Sequence, residues 1–303
     1  MGRRAANPIG RPHVTQSVAT SLENHDRVKG TTVKTQHLEV ARPPAALAAV
    51  LSPGVPPEDL YSVDGSRLYE KLAEFDVCEQ TALLRRVSSL TGEILELACG
   101  GGRLALPLLS LGRPVTGIDL SPEMIHILEN RYASLPASRR RVPLMPLVAD
   151  MRNFALDRTF GAIVLGTTSI FLLDRLGRQE LYRSVKRHLA PGGRFFVSVH
   201  ESVLAPGSTA TRIVPLRDES GSVALVSDQV RVDGRTRDVS ILHLTRSVAG
   251  ELETREFTSV VNMIPLEELD GELAEKGFTR VETIVASEAT ADVGALLLCG
   301  YAV

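Results

Sequence analysis

Apolar positions along the chain keep two different periods, and each change of period marks an element. Leu68, Leu72 and Phe75, then Leu83, Leu84, Val87 and Leu90, recur at helical spacing and predict two helices. Short apolar runs follow. Gly92–Leu97, Pro114–Ile118 and a run ending in Val148-Ala149-Asp150-Met151 predict three strands, and Phe160–Leu165 a buried fourth. Gln179–Leu189 reads as an amphipathic helix, stopped by Ala190-Pro191-Gly192-Gly193 before a fifth strand, Arg194–His200. Ser222–Val232, Thr236–Ser247 and Glu251–Met263, turned at Asp233-Gly234 and Ala249-Gly250, predict a three-stranded antiparallel meander. Pro265–Lys276 predicts a helix stopped by Gly277, and Arg280–Ala286 and Gly294–Val303 predict the last two strands. Residues 1–54 lack sustained periodicity and read as a mobile tail with one short helix at Pro44–Leu51, so their removal is expected to leave the melting temperature nearly unchanged.

The chemistry concentrates where the first strand meets a helix-like run, at Glu96-Leu97-Ala98-Cys99-Gly100-Gly101-Gly102-Arg103. Glycines in such a turn let backbone approach a ligand, and Asp119, at the end of the second strand, is placed to accept ribose hydroxyls. This is a nucleoside-binding βαβ unit. Gly100-x-Gly102-x-x-Ala105 also fits the pyrophosphate turn of NAD(P) dehydrogenases loosely, so the turn alone leaves that class open.

The wider motif resembles the class I S-adenosylmethionine (SAM) methyltransferases of the small-molecule and peptide N-methyltransferase type, including amino-sugar and daptide-type enzymes. Glu96-x-Ala98-x-Gly100-x-Gly102 is similar to their first motif, with Ala98 in place of a glycine. Ile118-Asp119-Leu120-Ser121-Pro122-Glu123-Met124 resembles the second, with Ser121 as N-cap and Pro122 at the first helical position. Asp150, after the third strand, matches the acid that receives the adenine amine, and Leu-x-Pro-Gly-Gly is a further mark of the family. A dehydrogenase has no standard need for that third acid. Asp119 and Asp150 are each also compatible with turn residues capping strand ends.

The resemblance implies an α/β fold: a Rossmann-like, doubly wound, seven-stranded sheet with an antiparallel last strand, N-terminal lid helices and an antiparallel β-meander insertion. The implied divisions are a tail (1–54), lid helices (55–90), a SAM-binding core (91–200), the insertion (201–263) and a C-terminal helix with the last two strands (264–303). SAM is the implied cofactor and S-adenosylhomocysteine its product. By the same resemblance Glu96, Ala98, Gly100, Gly102, Asp119, Leu120, Met124, Asp150, Met151 and Gly166 border the cofactor, and Tyr69 of the lid hydrogen-bonds it or the substrate; Tyr69 equally suits the edge of the core. The meander is expected to roof the substrate and to pair two copies into a homodimer through its edge.

Composition narrows the partners. The 303 residues are 44% hydrophobic, with 34 basic and 36 acidic side chains and a net charge of −2, which offers no basic track for nucleic acid and no polybasic membrane patch. No run approaches the length of a membrane span and no signal-peptide core is evident, while the Arg-bearing, acid-free opening leaves a transit segment open. Three cysteines without metal-ligand spacing suggest reduced thiols in a cytoplasm. The stretch Leu165-Gly166-Thr167-Thr168-Ser169-Ile170 lacks the Asn/Asp-Pro-Pro-aromatic loop of nucleic-acid amino-methyltransferases, and no Tyr-x-x-x-Lys pair serves a nicotinamide.

Candidate bases are His200, at the end of the fifth strand, and His243, which shares a meander face with Ile241 and Thr245. His126 and His188 fall on helices and read as surface residues. With no metal constellation, the expected acceptor is an amine of a small molecule or peptide natural product. O-methylation with His200 as base, an NAD(P)-linked oxidoreductase and a noncatalytic SAM-binding subunit are the alternatives.

Overall fold

The computed structural model describes residues 43–303 except 52, 74–76, 202–203, 217–220, 248 and 290–293. The tail reading for residues 1–42 and the stripe position Phe75 lie outside the described residues. In chain order the elements are α1 (Pro43–Leu51), β1 (Glu58–Asp59), α2 (Val63–Ala73), α3 (Val77–Val87), β2 (Ile94–Leu97), α4 (Ala105–Leu108), β3 (Val115–Asp119), α5 (Pro122–Ala133), β4 (Leu144–Val148), β5 (Phe160–Leu165) and α6 (Arg175–His188). There follow β6 (Leu189–His200), β7 (Thr209–Pro215), β8 (Val223–Val230), β9 (Thr236–Arg246), β10 (Leu252–Asn262), α7 (Leu266–Ala274), β11 (Thr279–Ser287) and β12 (Leu296–Ala302).

Seven strands form one sheet in the order β11-β12-β6-β5-β2-β3-β4. β2, β3, β4, β5 and β6 pair in parallel, while β12 runs antiparallel to both β6 and β11. This is the doubly wound sheet with an antiparallel last strand that the sequence predicts. The central strands β2 and β5 are buried along their whole length, as strands covered on both faces must be. Alternation sorts their side chains. Leu95, Leu97, Ile163 and Leu165 join Leu181, Val185 and Leu273 of α6 and α7 on one face. Ile94, Ala162 and Val164 join Leu83, Leu108 and Leu128 of α3, α4 and α5 on the other.

Helix starts follow the local chemistry. Ser121 Oγ accepts the Met124 N–H at 3.3 Å with Pro122 in the first turn of α5, and Asp174 Oδ1 accepts the Gly177 N–H at 2.8 Å at the start of α6. The Leu-x-Pro-Gly-Gly run departs from expectation. It belongs to β6, which begins at Leu189; pairing with β5 jumps from Phe160↔Leu189 to Ala162↔Arg194, so the intervening residues bulge. Gly192 has φ +76°, and a Cβ on Gly193 would lie 2.9–3.1 Å from three carbonyl oxygens, which is why both are glycine.

A second sheet has the order β1-β10-β9-β8-β7. The predicted meander forms its centre, with antiparallel registers such as Phe257↔Ile241 and Ile241↔Val226. The sequence reading missed both outer strands. β7 is mostly exposed and ends at Pro215, and β1 is two residues long, so neither shows a buried apolar period. The range 1–54 also needs correction at its end: α1 lies against β8, β9 and β10 and buries Pro44 and Ala48, so residues 43–51 belong to the packed body.

Candidate active site

The turn after β2, at the carboxyl edge of the large sheet, is built from left-handed residues. Ala98, Gly100 and Gly102 take φ of 51°, 52° and 90°, and a Cβ on Gly102 would sit 2.3 Å from Leu128 Cδ1. Glycine is forced there by packing as well as by conformation. At Ala98 the left-handed backbone costs on the order of 1–2 kcal/mol for an alanine, which is the physical reason the related motif has glycine. Asp119, from the end of β3, holds this turn: Oδ2 accepts the Gly100 N–H at 2.8 Å and Oδ1 the Ser121 N–H at 2.9 Å. Glu70 of α2 accepts the Gly101 N–H from the other side and pairs with Arg131 at 3.2 Å, while Arg131 donates to the Gly101 carbonyl at 3.0 Å.

The remaining positions expected to border a cofactor spread along the same edge. Glu96 is buried, its Oε2 has no hydrogen-bond partner, and burial pushes its carboxyl well above the usual carboxylate range. Leu120 is exposed beside Asp119, whereas Met124, in the first turn of α5, is buried. The Asp150 carboxylate accepts three side-chain bonds from Arg152, at 3.1 Å on Oδ1 and at 2.9 and 2.6 Å on Oδ2, and this pairing lowers its pKa. Met151 is half-buried next to it. Gly166 follows β5, where a Cβ would meet Leu104 Cδ1 at 2.3 Å.

Immediately afterwards, Thr167 and Thr168 take φ of 55° and 56°; with Ala98 they are the only non-glycine positive-φ residues among those described. Strain of this kind persists only where the surroundings enforce it. Here Glu79 of α3 enforces it. Its buried carboxylate accepts the Thr167 N–H at 2.7 Å and the Ser198 hydroxyl at 2.5 Å, and pairs with Arg103, which in turn donates to Thr167 Oγ1 at 2.7 Å.

That strained turn borders a cavity of about 730 Å³ between the carboxyl edge of β5 and β6 and the inner face of the second sheet. The volume lies within the range of small-molecule sites. Tyr69, Thr167, Thr168, Ser169 and His200 line it on one side and Val226, Val239 and Ile241 on the other. Burial raises the Tyr69 phenol above its ordinary pKa. Of the sequence-predicted site residues the cavity gathers Tyr69 and His200. His243 keeps the face of Ile241 but lies beyond the lining residues, because β9 runs past the end of the cavity.

His126 is exposed as expected. His188 is not: it is 2% exposed, its Nε2 accepts the Leu156 N–H at 2.9 Å and its Nδ1 lies 2.7 Å from the Ser184 carbonyl oxygen, so it is a core histidine. Sequence reasoning missed Glu79, Arg103, Arg212, Asp228, Arg237 and Asn262, all of which line the cavity. Asp228 and Arg237 do carry a sequence signal, since each falls in phase with the apolar inner positions of its strand, whereas Arg212 lies on the edge strand β7 and carries none.

Residues 94–193 match a family model described as a methyltransferase domain. This segment is a methyltransferase domain. The putative methyltransferase YqeM of Bacillus subtilis is 36% identical to the chain over 113 residues, 37% of this chain and 43% of that protein. The dTDP-3-amino-3,6-dideoxy-alpha-D-glucopyranose N,N-dimethyltransferase of Streptomyces fradiae is 33% identical over 122 residues, 39% of this chain and 43% of that protein. The chain thus spans less than half the length of these curated relatives. Among solved structures, the glycopeptide N-methyltransferase MtfA complexed with sinefungin superposes with a TM-score of 0.61 and 26% identity, covering 87% of this chain and 98% of that one. The likeness to MtfA therefore extends past the methyltransferase domain into the N-terminal helices and the second sheet. Among the described residues, no group of three or more His, Cys, Asp or Glu side chains could hold a metal ion, and no helix is long and apolar enough to cross a membrane.

Proposed function

We propose that the chain is a SAM-dependent methyltransferase acting on an amine of a small molecule or peptide natural product. The observation that carries the reading is a glycine turn tied to Asp119 and followed directly by Arg103, which lines a cavity at the carboxyl ends of β5 and β6, where open α/β sheets bind ligands. The residues fit SAM. Gly100 and Gly102 supply the positive φ that a tight turn under a ligand needs, Asp119 has lone pairs beyond its two amide bonds for ribose hydroxyls, and Glu96 brings a buried, unpartnered carboxyl oxygen to the strand end. Leu120, Met124, Asp150, Met151 and Gly166 would border the cofactor. When bound, SAM supplies an electrophilic methyl group. The chain's own residues then have two tasks: the Asp119–glycine turn orients one partner, and the apolar wall of the second sheet, with Tyr69 also lining the cavity, excludes water from the other. The exposed edge strand β7 supports the expected pairing of two copies.

An amine must shed its own proton before it attacks and needs no metal; His200, on the cavity rim, is placed to take that proton. For an amine acceptor His200→Ala is expected to slow turnover by less than about a hundredfold, with the rate partly recovered at higher pH as more of the substrate becomes neutral. Position of the same histidine also favours one second reading, O-methylation with His200 as the required base. A loss beyond about 10⁴-fold without recovery, or mass spectra placing the methyl on oxygen, would decide for that reading and against nitrogen.

A further inference from the structure

Arg212 on β7, Asp228 on β8 and Arg237 on β9 are diagonal neighbours on the sheet face that covers the cavity, Asp228 pairing directly with Ala210 and Val239, and all three line it. Their companions in phase, Val214, Val226 and Val239, are apolar. Asp228 is 7% exposed, with Arg212 Nη1 2.8 Å from Oδ2 and Arg237 Nη1 3.4 Å from Oδ1. Each carboxylate oxygen is therefore already engaged, one by each guanidinium. Each arginine, by contrast, uses one nitrogen of a fork that carries five N–H donors. The group has two positive charges against one negative. Elsewhere the ratio is reversed: Arg255 alone meets both Glu58 and Asp64 at 2.7 and 2.9 Å. Across the cavity, the Tyr69 phenol adds an O–H donor to the wall.

We propose that Arg212 and Arg237 bind an oxyanion of the acceptor, a carboxylate or a phosphate, with Asp228 fixing both guanidinium groups in place. The inference rests on reading this cavity as the acceptor pocket. It narrows the acceptor to an amine that also carries an acidic group. A bare ammonium would meet two guanidinium charges balanced by a single carboxylate, so this group repels it and attracts an oxyanion.

The test is calorimetric titration of the full chain, at low ionic strength, with sodium pyrophosphate in one arm and sodium succinate in the other. S-adenosylhomocysteine is titrated separately. Saturable binding of either anion is expected, and the arm that saturates identifies the acidic group as phosphate or carboxylate. Arg237→Gln and Arg212→Gln should each weaken that binding by about tenfold or more, with Arg237→Lys intermediate because it keeps charge and loses the fork. Affinity for S-adenosylhomocysteine should stay unchanged in all three variants, which also reports that they fold. If neither anion binds more tightly than about 10 mM, or the glutamine variants bind like the parent, the inference falls while the methyltransferase reading stands. Failure of S-adenosylhomocysteine to bind the parent chain would strike the reading itself and leave the anion result to stand or fall alone.

Discussion

Asp119→Ala is expected to reduce affinity for SAM at least tenfold, and toward a hundredfold. In the free chain the carboxylate holds the Gly100 and Ser121 amides at 2.8 and 2.9 Å, and with SAM bound it would add two bonds to ribose hydroxyls. Hydrogen bonds to a charged group contribute about 1.5–3 kcal/mol each, and the lost Gly100 tether relaxes the turn that must meet the ligand. Two amide bonds are also lost from the fold, so the melting temperature should fall by about 6–12 °C. A SAM dissociation constant that does not move, measured by calorimetry on folded protein, would remove Asp119 from the site and with it the main support for the cofactor assignment.

The parts of the fold that were legible are those whose side chains must satisfy one strict period. Phe160–Leu165 could be read to the residue because β5 is buried on both faces, and the meander because its strands alternate and end at Asp233-Gly234 and Ala249-Gly250. β7 could not be read, since an exposed edge strand needs no apolar phase. The bulge at the start of β6 was read as a plain helix stop, because proline and two glycines signal both and only pairing with Phe160 distinguishes them. His188 shows the same limit from the other side: its helix position looks polar, and its burial depends on the Leu156 amide brought from another loop.

In the site, the glycine turn was legible because its geometry is local. The acceptor side was not, because it is assembled across the sheets. Glu79, read only as part of a lid helix, is tied to Thr167 and Ser198 by contacts spanning 88 and 119 positions. The Asp228 group required the registers of β7, β8 and β9, although the odd phase of Asp228 and Arg237 was present in the sequence.

Glu272→Ala is the substitution with the largest expected effect on stability. Glu272 of α7 and Arg178 of α6 are 2% and 4% exposed and form a two-bond pair at 2.7 and 2.8 Å; Tyr182 also donates to Glu272 at 3.2 Å. Removing the carboxylate leaves a buried guanidinium facing the Leu173 carbonyl at 3.0 Å and the half-exposed Glu268 at 3.9 Å. Breaking a buried pair in this way costs about 3–5 kcal/mol, whereas replacing both members by apolar groups of similar volume is often neutral. Urea unfolding should therefore show a loss of about 3 kcal/mol or more for Glu272→Ala and recovery of most of it in Arg178→Met with Glu272→Leu. The consequence reaches the cavity. Arg178 bonds the Leu173 carbonyl, Asn262 donates to the Phe171 and Leu173 carbonyls at 3.1 and 3.0 Å, and Phe171 and Asn262 line the cavity wall. Glu272→Ala should accordingly raise KM for the acceptor more than it changes affinity for SAM, because the pair supports the acceptor wall and not the glycine turn. A loss below about 1 kcal/mol would show the pair to be no more than a surface contact, and equal effects on both ligands would show that the two sides of the site are not supported independently.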